Sequence, residues 1–343
     1  MRVLKPAELQ SHHLLAWRSM VVENPQLSSP FFSLEYSLAV ARVIPHVWIG
    51  VLEQKGTPVA FLAFERSAGG IGKRIRLCDY QGLVSKPGLA FDVRWFIHEC
   101  GLRTWDFNHL LATQEVFQPF HLGCGVSPIM DISNGYAAYL EERRITGRME
   151  LIKRCAGKLR KLERETGEVR LEIHREDSDI LQQLLTWRAA KYESHHSQEL
   201  LVSVLQSLLP VQTGQMKSTL SVLYAGDHLV AAHFGLRSES TWHWWFPAYN
   251  PLFEKYSPGT NLLLKMAGSA EEAGVKVIDF GKGDQDYKKQ LMTGSIPIAE
   301  GYVSASKWLS LSRRFKRETK RCLRQTPILG TLARKMYHVA SGA

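Results

Sequence analysis

Two short segments of this chain concentrate groups that could bind an anion and move a proton. Ser257-Pro258-Gly259-Thr260-Asn261 reads as a helix start, with Ser257 as the cap and proline at the first helical position, where its missing N–H costs nothing. The amides of Gly259, Thr260 and Asn261 would be the first of that helix. Together with the positive end of the helix dipole they form a cradle suited to a pyrophosphate, and Gly259 lets a ligand approach the backbone closely. The same residues also suit an ordinary capped helix. The second segment is Gly281-Lys282-Gly283-Asp284-Gln285-Asp286-Tyr287-Lys288. Asp284 or Asp286 can serve as a base in this glycine-flanked turn, and Asp284 can equally cap the helix that follows. Lys288 can meet a phosphate or a carboxylate, or stay solvated. Elsewhere Arg188 borders an apolar helical stripe, where a guanidinium binds an acid group or pairs structurally. His243 sits in an aromatic strand and reads first as a core histidine.

These groups need a scaffold, and the stretch from Thr241 to Leu291 supplies a dense one. Trp242, Trp244 and Phe246 alternate with His243 and Trp245, the period of a half-buried strand. Leu263, Met266, Ala267 and Ala270 predict an amphipathic helix over 257–273 that Gly274 closes. Val275 to Phe280 follows as a strand, and a short helix begins at Tyr287.

Composition narrows the function. The chain has 343 residues, 45% hydrophobic and 22% charged, as a globular protein of two ordinary domains would have. MRVLKPAELQ is not the start of a secretory leader, and no apolar run approaches a membrane span, so a cytoplasmic protein is expected. The five dispersed cysteines and the adjacent pairs His12-His13 and His195-His196 lack metal-ligand spacing, and no metal is expected. Residues 307–343 hold ten Lys and Arg against one acid, which leaves the remainder close to neutral. The body is therefore not expected to bind DNA. The tail interleaves Trp308, Leu311 and Phe315 with its basic residues, a pattern that fits an anionic membrane surface or a helix docked on the body.

The chain also repeats itself. Leu14-Leu15-x-Trp17-Arg18 recurs as Leu184-Leu185-x-Trp187-Arg188, and Val51-Leu52 with Val59-Ala60 recurs as Val222-Leu223 with Val230-Ala231. Gly101, Asp106 and Phe107 recur as Gly274, Asp279 and Phe280, so three matches share one order and nearly one offset. Hairpins early in each copy, at Gly56 and at Gly226-Asp227, and a helix late imply a mixed sheet with helices packed on it. The predicted organisation is a first copy over 1–136, a basic helical connector over 137–168 broken at Gly147 and Gly157, a second copy over 169–306, and a tail over 307–343. The Lys158–Arg164 run of the connector reads as a solvated face.

This element order resembles the GNAT acyltransferase fold, duplicated as in the FemAB peptidyltransferases, and most resembles the CelD-type proteins of cellulose and exopolysaccharide biosynthesis. The residues that carry the resemblance are WRAAKY at 187–192, YSPGTNLL at 256–263, IDFGKGDQDYKKQL at 278–291, LCDYQGLV at 77–84 and WDFNHL at 105–110. It implies an α/β (α+β) fold of two tandem GNAT-like domains, each a mixed, mostly antiparallel sheet flanked by helices. It implies an acyltransferase moving an acyl group, such as acetyl, from coenzyme A to an envelope or exopolysaccharide precursor. Ser257, Gly259, Thr260, Asn261 and Lys288 would then bind the donor, although Lys255–Thr260 stands where the family's glycine-rich signature would be. Tyr287 would protonate the leaving thiolate, with Asp284 as the base. Arg188, Lys191, Asp79, Tyr80, His109 and His243 would line the acceptor cleft. An aminoacyl-tRNA donor, or a non-catalytic subunit of a polysaccharide machine, are the alternatives.

Overall fold

The computed structural model describes residues 1–174, 176–191 and 198–306. The first half runs β1 (Arg2–Leu4), α1 (Ser11–Glu23), α2 (Leu34–Val43), β2 (Val47–Gln54), β3 (Thr57–Ser67), β4 (Ile71–Lys73), β5 (Val84–Ser85), α3 (Val93–Glu99), β6 (Thr104–Leu111) and β7 (His121–Asp131). Two helices, α4 (Tyr136–Ile145) and α5 (Glu150–Thr166), lead into the second half. That half runs β8 (Val169–His174), α6 (Ser178–Lys191), α7 (Gln198–Leu208), β9 (Lys217–Ala225), β10 (His228–Arg237), β11 (Thr241–Tyr249), α8 (Pro258–Ser269), β12 (Val277–Asp279), α9 (Asp286–Leu291) and β13 (Gly294–Ser304).

All the strands form one mixed, mostly antiparallel sheet flanked by helices, ordered β1-β2-β3-β4-β6-β13-β7-β12-β11-β10-β9-β8, with β5 beside β3. Read inwards from either edge, the two halves repeat each other. Both parallel pairings fall at matching places, β4 with β6 and β11 with β12. The last strand of each half crosses over: β13 pairs with β6, β7 pairs with β12, and the two crossed strands pair with each other. This exchange leaves no open edge in the middle of the sheet, where unpaired N–H and C=O groups would be exposed.

The repeat read from the sequence extends to register. Val51 faces Phe61 and Leu52 faces Ala60 in the first hairpin, while Val222 faces Ala232 and Leu223 faces Ala231 in the second. Each hairpin turns through left-handed backbone that favours glycine, at Gly56 (φ 79°) and Gly226 (φ 55°).

One apolar layer is shared. Helices α1, α2, α6 and α7 contribute Trp17, Val40, Leu184 and Leu205 to a single core on one face of the sheet. On the other face the halves keep separate cores, Phe96 and Ile97 of α3 in the first, and Leu151, Ile152 and Leu162 of α5 with Leu263 and Met266 of α8 in the second. The connector therefore differs from expectation. Gly147 (φ 70°) does turn the chain, but Gly157 lies inside α5, whose apolar stripe is packed against α8. Burying Leu151, Ile152, Cys155 and Leu162 outweighs the roughly 1 kcal/mol that a helical glycine costs. Helix α8 stops at Ser269, short of the expected 273, and the chain turns through Gly274 (φ 72°) into β12.

No helix of the described residues is long and apolar enough to cross a membrane. The basic tail at 307–343 lies outside the described residues.

Candidate functional site

A cavity of about 860 Å³ opens where the sequence concentrates its chemistry. One wall is the start of α8, through Ser257, Pro258, Gly259 and Thr260. A second is the Gly281 turn with α9, through Gly281, Lys282, Tyr287 and Lys288. Trp187 and Arg188 of α6 close a third side, and β11 floors the cavity with Trp244, Trp245 and Tyr249. Asp79 is the first-half residue on this wall among those described. An aromatic-rich cavity of this size with a few convergent polar groups is what a small-molecule site requires.

The α8 start is uncapped. Ser257 has left-handed backbone (φ 53°), and its side chain accepts nothing from the helix amides. Its hydroxyl instead accepts from Lys158 Nζ at 2.9 Å. The expected serine cap is thus corrected: the αL conformation turns Oγ away from the helix, and a lysine of α5 brings positive charge to the same place. Lys158 was hidden in a run that reads as a solvated face. A Cβ on Gly259 would meet only the Tyr249 ring, at 3.7 Å, so a glycine here leaves room at the backbone. Asn261 departs from expectation, because its amide donates to Ser257 O at 3.0 Å and its side chain is buried, donating to Tyr256 O at 2.8 Å. Of the three expected donors, Gly259 and Thr260 line the cavity and Asn261 does not.

On the opposite wall Tyr287 Oη accepts from Trp244 Nε1 at 3.2 Å. An indole only donates, so the phenol is the acceptor in that bond. Trp244 is itself stacked on His233 at 4.3 Å, and burial pushes that histidine down to about 3, which keeps it neutral. Lys288 is buried and donates to Gly281 O at 3.0 Å and Lys282 O at 3.4 Å, which pins the turn. Burial lowers its pKa, while Asp79, Asp279 and Asp284 pull the other way. The Arg188 guanidinium lies over the Phe246 ring at 4.8 Å.

Several expected site residues lie elsewhere. Asp284 is exposed and does not line the cavity; neither it nor any other side chain caps α9, whose cap position is Gln285. Tyr80 and His243 are buried behind the wall. His109 is half-buried on β6 near Asp79, and burial holds it down at about 4. The side chain of Lys191 lies outside the described residues.

The residue that the site most depends on from behind is Asp279, seen in the sequence only as part of the repeat. It is fully buried and accepts from Tyr80 Oη at 2.6 Å, Ser127 Oγ at 2.6 Å and Gly281 N at 2.8 Å. These donors come from the first half, the crossed strand β7 and the cavity turn, so one carboxylate ties the exchange to the site. A buried carboxylate is tolerable only with such donors.

Residues 150–289 match the family model described as an acetyltransferase (GNAT) domain. That span covers α5 to most of α9 and so includes every cavity wall except Asp79. Among curated proteins none matches this chain. Solved structures resemble it in fold. FemX shares 10% identity with a TM-score of 0.55, covering 91% of this chain and 99% of its own. The C-terminal domain of a putative lysylphosphatidylglycerol synthetase from Agrobacterium fabrum shares 12% identity at a TM-score of 0.53, covering 88% and 94%. A conserved protein of unknown function from Bacteroides thetaiotaomicron follows at 9% identity and a TM-score of 0.50, covering 84% and 96%. The fold is thus GNAT-like and duplicated, with the matched domain in the second half.

Proposed function

We propose that this protein is a GNAT-type acyltransferase that takes an acyl group from coenzyme A and passes it to an amine or hydroxyl of an envelope or exopolysaccharide precursor. The observation that supports it most is the uncapped start of α8 facing the same cavity as Tyr287. Gly259 and Thr260 offer amides, the helix offers its positive end, and Lys158 stands beside Ser257; together these suit a pyrophosphate. Bound there, acyl-coenzyme A would supply an activated thioester carbonyl. Tyr287, oriented by Trp244, is the acid that hands a proton to the departing sulfur. Arg188 and the tryptophans on the far walls face the acceptor, and flat indole rings fit the apolar faces of a saccharide. The basic tail would hold the protein against an anionic membrane near its acceptor.

Calorimetry with coenzyme A and with aminoacyl-tRNA tests the donor. Micromolar binding of coenzyme A is expected; binding of aminoacyl-tRNA alone would move the donor to the charged tRNA, and binding of neither would leave a non-catalytic fold. Tyr287→Phe should lower turnover about 100-fold with little change in donor affinity. Unchanged turnover would remove Tyr287 from the reaction.

A further inference from the structure

We propose that Asp79 takes the acceptor's proton in this site and that His243, held between Asp79 and Asp279, is the residue that positions it. The inference rests on the acyl-transfer reading above and adds a base from the opposite half of the molecule.

Asp79 is half-buried at the cavity wall, and its Oδ2 accepts from His243 Nε2 at 3.0 Å. His243 is fully buried, and its other ring nitrogen faces Asp279 Oδ1 at 3.7 Å, so the imidazole lies between two carboxylates. Phe31 and Tyr80 pack on the ring edge-on, at 4.8 Å and 6.3 Å between centroids. The backbone is shaped for this placement on both sides. On β11 the register with β10 slips between the Phe234–Phe246 and Leu236–His243 pairs, a bulge that re-aims His243. On the first half, Leu77 has left-handed backbone (φ 62°) two residues before Asp79, a conformation that a leucine holds only where its surroundings enforce it. Gly281 leaves the space: a Cβ there would come within 3.2 Å of Asp79 Oδ2 and 3.4 Å of His243 Nε2.

The charged and titratable neighbours of Asp79 are His243 on β11, His109 on β6, Arg74, Cys78 and Tyr80 on its own loop, Lys288 on α9 and Tyr36 on α2. Burial alone would raise the carboxyl. The bond and charge of His243, with His109 and Arg74, outweigh it and hold Asp79 below the usual carboxylate range. The group is therefore ionised at neutral pH. A weak base suffices, because positive charge develops on the attacking atom as its bond to the acyl carbon forms. In that step the acceptor N–H or O–H proton passes to Asp79, the carbon–sulfur bond breaks, and the sulfur leaves with the Tyr287 proton. Asp79 then releases its proton to solvent and Tyr287 regains one, so no net proton is stored.

The test compares the wild type with Asp79→Asn and His243→Gln, using acetyl-coenzyme A as donor and a panel of amino sugars and neutral sugars as acceptors. Asp79→Asn should lower kcat about 100-fold and His243→Gln about tenfold, with coenzyme A affinity unchanged within about twofold. Glutamine at this position can still donate to Asp79 but carries no charge. Losing the charge of His243 raises the Asp79 pKa, so the acid limb of the rate profile should move to higher pH in His243→Gln. The ¹³C titration of the Asp79 carboxyl, followed without any substrate, should move the same way. An unchanged kcat in Asp79→Asn, an unmoved carboxyl titration, or coenzyme A binding with no panel member acylated would overturn the proposal. Failure of the wild type to bind coenzyme A would instead overturn the acyl-transfer reading and leave the carboxyl titration to judge the Asp79–His243 pair. Should His243→Gln fail to fold, the near-isosteric Asp79→Asn still decides.

Discussion

Helices α3 and α8 occupy the same place in the two halves, yet their first amides are treated in opposite ways. In the first half the Asp92 carboxylate accepts from Arg94 N at 2.8 Å and Trp95 N at 3.2 Å, so the helix start is filled by the protein's own anion. In the second half no side chain caps α8, and a lysine stands beside its first turn. The repeated arginine sits differently in the two halves: Arg18 is bound at 3.0 Å and 2.8 Å by Glu35, and Arg188 lies over the Phe246 ring at the cavity. Even the voids differ, about 30 Å³ between Trp17, Phe32 and Tyr80 against about 860 Å³ beside α8. The two halves are similar frames; in one a carboxylate fills the helix start, and in the other the helix start faces a cavity. The closed half still contributes, because its Asp79 and Tyr80 reach across to His243 and Asp279.

Four substitutions test this contrast. The largest effect is expected from Asp279→Ala, which strands the Tyr80 and Ser127 hydroxyls and the Gly281 amide at the seam between the halves. Chemical denaturation should show a loss of about 3–5 kcal/mol, and a loss below about 1 would mean the seam does not depend on this carboxylate. Next comes Gly259→Leu. Its side chain has space beside Tyr249 but fills the cradle, so coenzyme A affinity should fall about 30–100-fold by calorimetry while the melting temperature stays within a few degrees. Ser257→Asp places an anion against Lys158 and should weaken the same binding about tenfold by neutralising that charge. Smallest is Asp92→Ala, which opens the α3 start; stability should drop by about 1 kcal/mol with coenzyme A affinity untouched. Any effect of Asp92→Ala on that affinity would mean the two helix starts are not independent.

Much of the frame is legible in the residues. Spacing alone predicts both hairpins, and the matched pairs Val51-Leu52 and Val222-Leu223 do adopt the same register. Period-two and period-3.6 patterns are local properties of a chain, so β11 and the first three turns of α8 follow from them. The same local logic brings Gly259, Thr260, Tyr287 and Lys288 near one another, since a helix, a short strand and a turn separate them.

Other features depend on partners far away in the chain, and no local pattern marks them. The crossing of β7 and β13 depends on which edges remain unpaired once both sheets form, which no stretch of residues records. Lys158 belongs to a run that looks like a solvated face until α5 packs on α8. Ser257 has the chemistry of a cap, but its left-handed backbone removes it from that role. Asp79 and His243 lie 164 residues apart, and only folding sets one carboxylate in the cavity with the other's imidazole behind it. Composition and periodicity determine which elements form and which faces they bury, because those energies are summed over neighbours along the chain. Which polar groups are capped, paired or left open is decided by distances across the sheet, and so by the tertiary structure alone.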